Sequence, residues 1–334
     1  MLVVRPAGPQ DFDALMQLAL LSGRGFTSLP ADEGTLRRRL ELSEASFGGA
    51  VAPLEATYTL MLEDARTGEI GGVAGLKGAV GLKRPFFSFR VVTLAQSSSI
   101  INKRFDHQAL VLVNECAGWS EVGSLFLRPE WRKGGAGRLL AQSRYMLIAA
   151  DTTRFAEMVL AELRGWFDAE GTAPFYDCLA SKFFRLPFDE ADLMSASTDG
   201  QFILDLAPRH PIYLELLPER VRSVVGVVHE EGQAALAMLR AEGFRYQGLI
   251  DIFDAGPTVA CPRDDIRTVR DNVRRKVRLA PEVDGPMALV STDTVERFRA
   301  VRTPVRLDEE NVVISWAAAE ALWVHQDHAV RVKL

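Results

Sequence analysis

The chain has 334 residues, with 39 Lys+Arg against 44 Asp+Glu for a net charge of −5, 48% hydrophobic residues and 25% charged ones. Those proportions, with a mean hydropathy of +0.03, exclude a disordered or collagen-like chain. The mild acidity argues against binding nucleic acid by neutralising phosphates, which needs a dense cationic face. The length suggests two domains or one enlarged one. No run of about 18 apolar residues occurs, so no membrane span is expected. The opening Met1-Leu2-Val3-Val4-Arg5-Pro6 lacks the pattern of a secretory leader. Cys116, Cys178 and Cys261 form no CxxC pair and are too scattered for a disulfide framework, which points to a reducing, cytoplasmic compartment.

In chain order, Leu2 to Arg5 reads as a strand, and Phe12, Leu15, Met16, Leu18 and Ala19 give a helix with Asp11 at its start. A second helix is expected over Glu33 to Ser46, with Leu36 and Leu40 inward and Arg37-Arg38-Arg39 turned to water. Thr57 to Leu62 and Ile70 to Leu76 form a hairpin around Gly68. Phe86 to Leu94 and Gln108 to Val113 add β-like runs. The strand Glu121 to Leu127 leads through Arg128-Pro129-Glu130-Trp131 into Arg132-Lys133-Gly134-Gly135-Ala136-Gly137, then a helix from Arg138 to Ala150. A strand over Glu157 to Leu163 and a helix over Phe175 to Phe184 follow. Val224 to Val228 reads as an apolar run before His229. Ala234 to Glu242 is a helix stopped by Gly243, and Phe244 to Phe253 is a strand. From Ala260 the composition shifts: a basic run, Arg263 to Arg278, precedes short strands at Ala288–Val290, Val312–Ile314 and Val330–Val332. We expect 1–259 to form one α/β region and 260–334 a small, mostly β domain.

Arg132 to Gly137 fits Arg-x-x-Gly-x-Gly between a strand and a helix. Such glycines let backbone N–H groups converge at the positive end of a helix dipole, a geometry that holds a pyrophosphate. Gly-Lys-Ser/Thr is missing, which disfavours ATP or GTP, and no dinucleotide fingerprint follows a first strand. Alone, the hexapeptide reads equally as a tight strand-to-helix turn.

In context it resembles the GNAT acyltransferase fold, in which this turn cradles the pyrophosphate of coenzyme A. That resemblance makes Phe175 to Phe184 the closing helix beside the pantetheine arm. Thr27-Ser28-Leu29-Pro30, Leu125 to Lys133, His210-Pro211-Ile212-Tyr213, Glu242 to Tyr246 and Ile250 to Asp254, in that order, resemble the arginine N-succinyltransferase family. The likeness runs from Met1 to about Cys261 and, more weakly, to the C-terminus. It implies transfer of succinyl from succinyl-CoA to the α-amine of L-arginine, with no metal. It also implies a homo-oligomer or a heteromer with a paralogous subunit. Leu125 matches the succinyl-CoA-binding position, with Phe126, Leu127 and Arg132, Lys133, Gly134, Gly135, Ala136 and Gly137 around it. His229 matches the proton donor. Two departures occur: Glu230 stands where the family has Pro, and Ala255 where Asp-Gly-Gly-Pro-Thr has its first Gly. The intact Gly-rich turn resembles the self-sufficient form rather than the paralogue in which it has decayed.

Thioester aminolysis requires a neutral amine, donors for the oxyanion and a proton for the leaving thiolate. Backbone N–H groups around Ser124–Leu127 are candidates for the oxyanion. Without the family, His229 reads as a buried, hydrogen-bonded histidine ending an apolar strand in preference to a catalytic one. Glu121, Glu162, Asp251 and Asp254 are candidate partners for the guanidinium, and Arg90 or Arg104 for succinate; each also reads as a surface ion pair. Cys116 and Cys178 read as core residues rather than nucleophiles, His325 and His328 as a surface turn, and Arg263 to Arg278 as a solvated connector. Competing functions are another amine acyltransferase, using ornithine or a polyamine with succinyl- or acetyl-CoA, or a non-catalytic CoA-binding subunit.

Overall fold

A short strand, β1 (Leu2–Pro6), opens the chain, and two helices follow, α1 (Phe12–Ser22) and α2 (Glu33–Phe47). The computed structural model describes residues 1–334 except 24, 25, 27 and 198–200, so Thr27 of the string Thr27–Pro30 lies outside the described residues. Asp11 makes no side-chain cap to α1; its carboxylate grips both terminal nitrogens of Arg5 at 2.8 Å. Asp32 caps α2 by accepting the Thr35 N–H at 2.7 Å. The expected hairpin is β2 (Thr57–Asp64) and β3 (Ile70–Lys77). A second, longer hairpin, β4 (Ser88–Ser98) and β5 (Lys103–Val113), extends both β-like runs. Next come β6 (Ser120–Leu127), α3 (Ala136–Ala150) and β7 (Met158–Glu162).

A π-helical turn over Tyr176–Ala180 runs into α4 (Ser181–Phe184) where one helix was expected. Then follow α5 (Phe188–Ser197), α6 (Gln201–Leu206), β8 (Ile212–Tyr213), α7 (Glu219–Arg222), α8 (Gln233–Glu242), β9 (Arg245–Ile250) and β10 (Pro257–Pro262). Val224 to Val228 is not a strand. The N–H groups of Val224, Val225 and Val227 turn back to Val221, Arg222 and Val224, and Gly226 sits at φ 72°. The strand expected to Phe253 stops at Ile250 because the Asp251 carboxylate accepts the N–H groups of Phe253 and Asp254, closing a turn.

The basic run Arg263 to Arg278 is no loose connector: it holds α9 (Arg267–Asp271) and most of β11 (Val273–Ala280). The remainder is β12 (Met287–Thr292), β13 (Ala300–Pro304), β14 (Arg306–Leu307), β15 (Asn311–Ser315), α10 (Trp316–Leu322) and β16 (Ala329–Lys333). Among the described residues all sixteen strands join one sheet, in the order β14-β15-β11-β16-β12-β13-β1-β2-β3-β6-β7-β10-β9-β4-β5-β8. The C-terminal strands enter it where β13 pairs with β1. Residue 260 falls inside β10, which pairs with β7 and β9.

Alternation on the central strands sets two layers. Leu60 and Leu62 of β2, with Ala74 and Leu76 of β3, pack with Leu139, Leu140 and Met146 of α3. Met61 and Val73 point the other way, to Leu15, Leu18, Leu36 and Leu40 of α1 and α2. A hairpin, then a strand leading through a glycine turn into a helix that crosses to a parallel strand, is the GNAT-type acyltransferase arrangement expected from the sequence.

Candidate active site

The site begins where two parallel strands separate. β6 pairs with β7 at Ser120↔Val159 and Glu121↔Leu160, and the ladder goes no further. Continuing that register would set Gly123 against Glu162, but there the strands have parted. On its other side β6 pairs with β3 through Val122 and Gly123 and again through Phe126 and Leu127, with a register shift between. Ser124 and Leu125 have no ladder partner on either neighbour. Ser124 is buried with φ 49°, a left-handed backbone that a serine rarely adopts. One consequence is visible in the packing: Val122 and Leu127 face α3, yet Phe126 faces α1 and α2. The bulge at Ser124 resets the alternation and leaves backbone groups beside an open gap.

Downstream, the chain turns tightly into α3. Gly134 and Gly135 sit at φ 62° and 80°, where an added Cβ would meet nothing within 4 Å but would be strained by the backbone itself. Lys133, Gly134 and Gly135 are exposed, and Gly135 is the left-handed N-cap of the fifteen-residue α3. Arg132 folds back, donating Nε–H to the Leu127 carbonyl at 3.2 Å. The turn thus presents the start of a long helix to solvent at the exit of β6, an arrangement suited to an anionic diphosphate.

His229 lies at the end of β7. Its N–H bonds the Arg164 carbonyl at 2.9 Å, and its Nδ1 accepts the Glu231 N–H at 3.2 Å. The ring packs edge-on to Phe167 at 6.3 Å. Burial first, and the nearby Arg164 cation second, hold its pKa below the usual histidine value. The imidazole is therefore neutral near pH 7, with its proton on Nε2. A cleft of about 730 Å³ adjoins this end of β7, lined among others by Trp166, Asp177, Cys178, Lys182, Arg220 and Val227. The helix expected beside the pantetheine arm supplies three of those residues. Turn 132–137 does not line that cleft.

The four candidate acids converge. Glu162, half-buried at the end of β7, feels the charges of Asp251, Glu121 and Asp254, and desolvation above all pushes its pKa well above the usual range. Asp254 is raised well above it too, by burial and by Asp251. Glu121 is neutralised by Lys77 Nζ at 2.6 Å. Asp254 accepts the N–H groups of Gly165 and Gly256, each at 2.7 Å, which ties the exit of β7 to the turn before β10. Ala255, in the position where the family has glycine, keeps that turn by adopting φ 58°. Of the four acids, Glu162 alone is offered to the gap without a hydrogen-bond or ion-pair partner among the described residues.

Other candidates fall elsewhere. Arg90 is held by Glu115 and by the Gln247 carbonyl, and Arg104 by Asp106 at 3.0 Å on the exposed part of the second hairpin. Neither faces the gap. Cys116 is buried, its thiol pushed up to about 12 by desolvation, and so is a poor nucleophile. His325 and His328 bond one another in an exposed turn. Among the described residues no group of three or more His, Cys, Asp or Glu is arranged to hold a metal ion, and no helix is long and apolar enough to cross a membrane.

Sequence reasoning missed Arg39, which does not turn to water. Its guanidinium crosses from α2 to the bulge, donating to Ser124 Oγ at 2.8 Å, the Ser28 carbonyl at 2.7 Å and Thr59 Oγ1 at 3.2 Å. The signal was present, since Arg39 stands between Leu36, Leu40 and Ser43 on the inward face of α2.

Comparison with known proteins gives a consistent picture. Residues 2–268 match the family model "Arginine N-succinyltransferase beta subunit", and residues 273–333 match its C-terminal domain. A Citrobacter koseri protein named arginine N-succinyltransferase is 40% identical over 99% of this chain and 97% of its own. One of that name from Salmonella paratyphi B is 40% identical over 100% and 98%. The solved structure of arginine/ornithine succinyltransferase subunit AI from Pseudomonas aeruginosa superposes with a TM-score of 0.91 at 32% identity, covering 100% of this chain and 98% of that one.

Proposed function

Because the chain belongs to the arginine N-succinyltransferase family, we propose that it moves succinyl from succinyl-CoA to the α-amine of L-arginine at the gap between β6 and β7. The products are N2-succinyl-L-arginine and CoA. The observation that carries this reading is the parting of the two strands at Ser124, directly upstream of the glycine turn.

The chemistry follows from that placement. The turn from Arg132 to Gly137, with Lys133, takes the CoA diphosphate at the start of α3, and the pantetheine arm runs toward the gap. The thioester carbonyl meets the unladdered backbone of Leu125, whose N–H supports the oxyanion. The neutral α-amine attacks the carbonyl carbon, a C–N bond forms, and the C–S bond breaks. His229 Nε2–H donates to the departing sulfur as the proton lost by the attacking nitrogen passes to the same Nε2, directly or through water, in one concerted exchange that leaves the imidazole neutral. Glu162, with Asp251 and Asp254 behind it, takes the guanidinium.

The test is thiol release from succinyl-CoA with and without L-arginine, with the product identified by mass. Arginine-dependent release of an N2-succinylated product supports the assignment, and CoA binding without release under any amine overturns it. L-Ornithine belongs in the same assay, because the Pseudomonas relative is named for both amino acids. That relative is also named as a subunit, which supports a homo-oligomer or heteromer here.

A further inference from the structure

Arg39 is a cation whose only hydrogen-bond partners are neutral. Among the described residues no carboxylate lies within ion-pair distance of it; its hydrogen bonds go to two hydroxyls and one carbonyl. Each terminal nitrogen spends one N–H on these contacts and keeps a second with no acceptor among the described residues. Burial pushes its pKa down to about 10, against the opposing charge of Glu121, which makes no hydrogen bond or ion pair with it. A half-buried guanidinium left in this state costs stability unless something anionic completes it.

Its path is specific. Thr59, Gly75 and Gly123 are ladder neighbours across β2, β3 and β6, and Arg39 lies along that row. A Cβ on Gly75 would come within 2.6 Å of Arg39 Nη2, so the missing side chain is what lets the guanidinium reach the bulge. It ends on Ser124, the residue whose left-handed backbone opens the gap. The carboxylates of Glu162, Asp251 and Asp254 lie toward β7 and β10. Between them Glu121 is held by Lys77 at 2.6 Å, so Arg39 is the cation left without an ion pair on one side of the gap, opposite these acids.

We infer that Arg39 is a carboxylate receptor of the reaction site, pairing with the free carboxylate of a substrate held at the Ser124 bulge. Both substrates of the proposed reaction carry one: the succinyl group at its far end and L-arginine beside its α-amine. This rests on the acyltransferase reading and adds the residue that selects for a negative charge.

The test compares the wild type with R39Q, R39K and G75A in the full chain. Calorimetry measures affinity for succinyl-CoA against butyryl-CoA, which has the same carbon count without the carboxylate. With CoA bound, it measures L-arginine against L-argininamide. In R39Q, affinity for one carboxylate-bearing ligand is expected to fall about 10- to 100-fold, the usual cost of removing a charged hydrogen-bond partner, with its uncharged analogue nearly unchanged. Loss confined to succinyl-CoA names the donor carboxylate, and loss confined to L-arginine names the acceptor's. R39K restores part of the discrimination, and G75A, which leaves Arg39 present but displaced, reproduces the loss should R39Q fail to fold. Equal weakening of charged and uncharged ligands makes Arg39 a purely structural strut and overturns the inference. If wild-type protein releases no thiol yet still prefers the charged ligands, the reaction assignment fails and the receptor stands.

Discussion

Glu231 donates its backbone N–H to Nδ1 of His229 at 3.2 Å, so the neutral ring carries its proton on Nε2. The turn that begins at His229 sets this tautomer, and the Arg164 carbonyl anchors the same residue from the end of β7. In the proposed mechanism, replacing His229 by alanine removes the donor for the leaving sulfur and leaves the glycine turn untouched. We expect kcat to fall about 10²- to 10³-fold, within the usual worth of general acid–base catalysis, while CoA affinity measured by calorimetry stays within about twofold. A matching fall in CoA affinity would make the ring a binding group.

The same geometry sets a pH dependence. Burial and the Arg164 cation hold His229 below its usual value of 6.5, while Glu231 and Glu230 act in the opposite direction. Protonating Nδ1 also costs the bond from Glu231. The active neutral form therefore persists as the pH falls, and kcat/KM declines only below the ordinary histidine value. In Arg164→Gln the cation is gone, the histidine holds its proton more readily, and the acid limb shifts upward. A pH–rate series on both proteins checks the direction; a downward or absent shift removes His229 from the limiting ionisation.

Much of this was legible in the sequence, and the exceptions share a cause. The hairpin around Gly68, the glycine turn and the helix after it are local features, written in turn residues and apolar period. Val224 to Val228 misled because an apolar run suits a strand by composition, while Gly226 and the nearby backbone carbonyls decide for a turn. Arg39 was placed on the wrong face because charge outweighed helical phase, although Leu36, Leu40 and Ser43 bracket it. The gathering of Glu162, Asp251 and Asp254 depends on β10 pairing with β7, a contact between distant segments that no window of sequence contains. Gly75 is the reverse case: visible as a glycine in a strand, it acquires meaning only once an arginine from α2 is seen lying over it.

The glycine turn supplies a test of cofactor placement. Gly135 sits at φ 80°, and a β-branched side chain there is strained by the backbone alone. Gly135→Val is expected to cost about 1–2 kcal/mol of stability, read from denaturant melts. It should also weaken CoA at least about tenfold by disturbing the N–H groups proposed to meet the diphosphate. The affinity of L-arginine for the same variant should hardly change. CoA binding unaffected by the valine would put the diphosphate somewhere other than residues 132–137.

Glu162 carries the assignment of the acceptor pocket. Burial and then the charges of Asp251 and Glu121 raise its pKa well above 4.5, so it retains a proton to higher pH than an ordinary carboxyl. A guanidinium arriving beside it favours the carboxylate, and the proton must leave. L-Arginine binding is thus expected to release protons, measured by calorimetry in buffers of different ionisation enthalpy. Glu162→Gln cannot release one and cannot form the charged pair. Its proton release should shrink, and its KM for L-arginine should rise at least about 30-fold, the low end of the cost of truncating one partner of a hydrogen-bonded charge pair. Succinyl-CoA affinity, set on the other side of the gap, should hold. If the glutamine variant releases as many protons as the wild type and keeps its KM, the guanidinium lies away from β7, and Asp251 and Asp254 serve only to close the turn before β10.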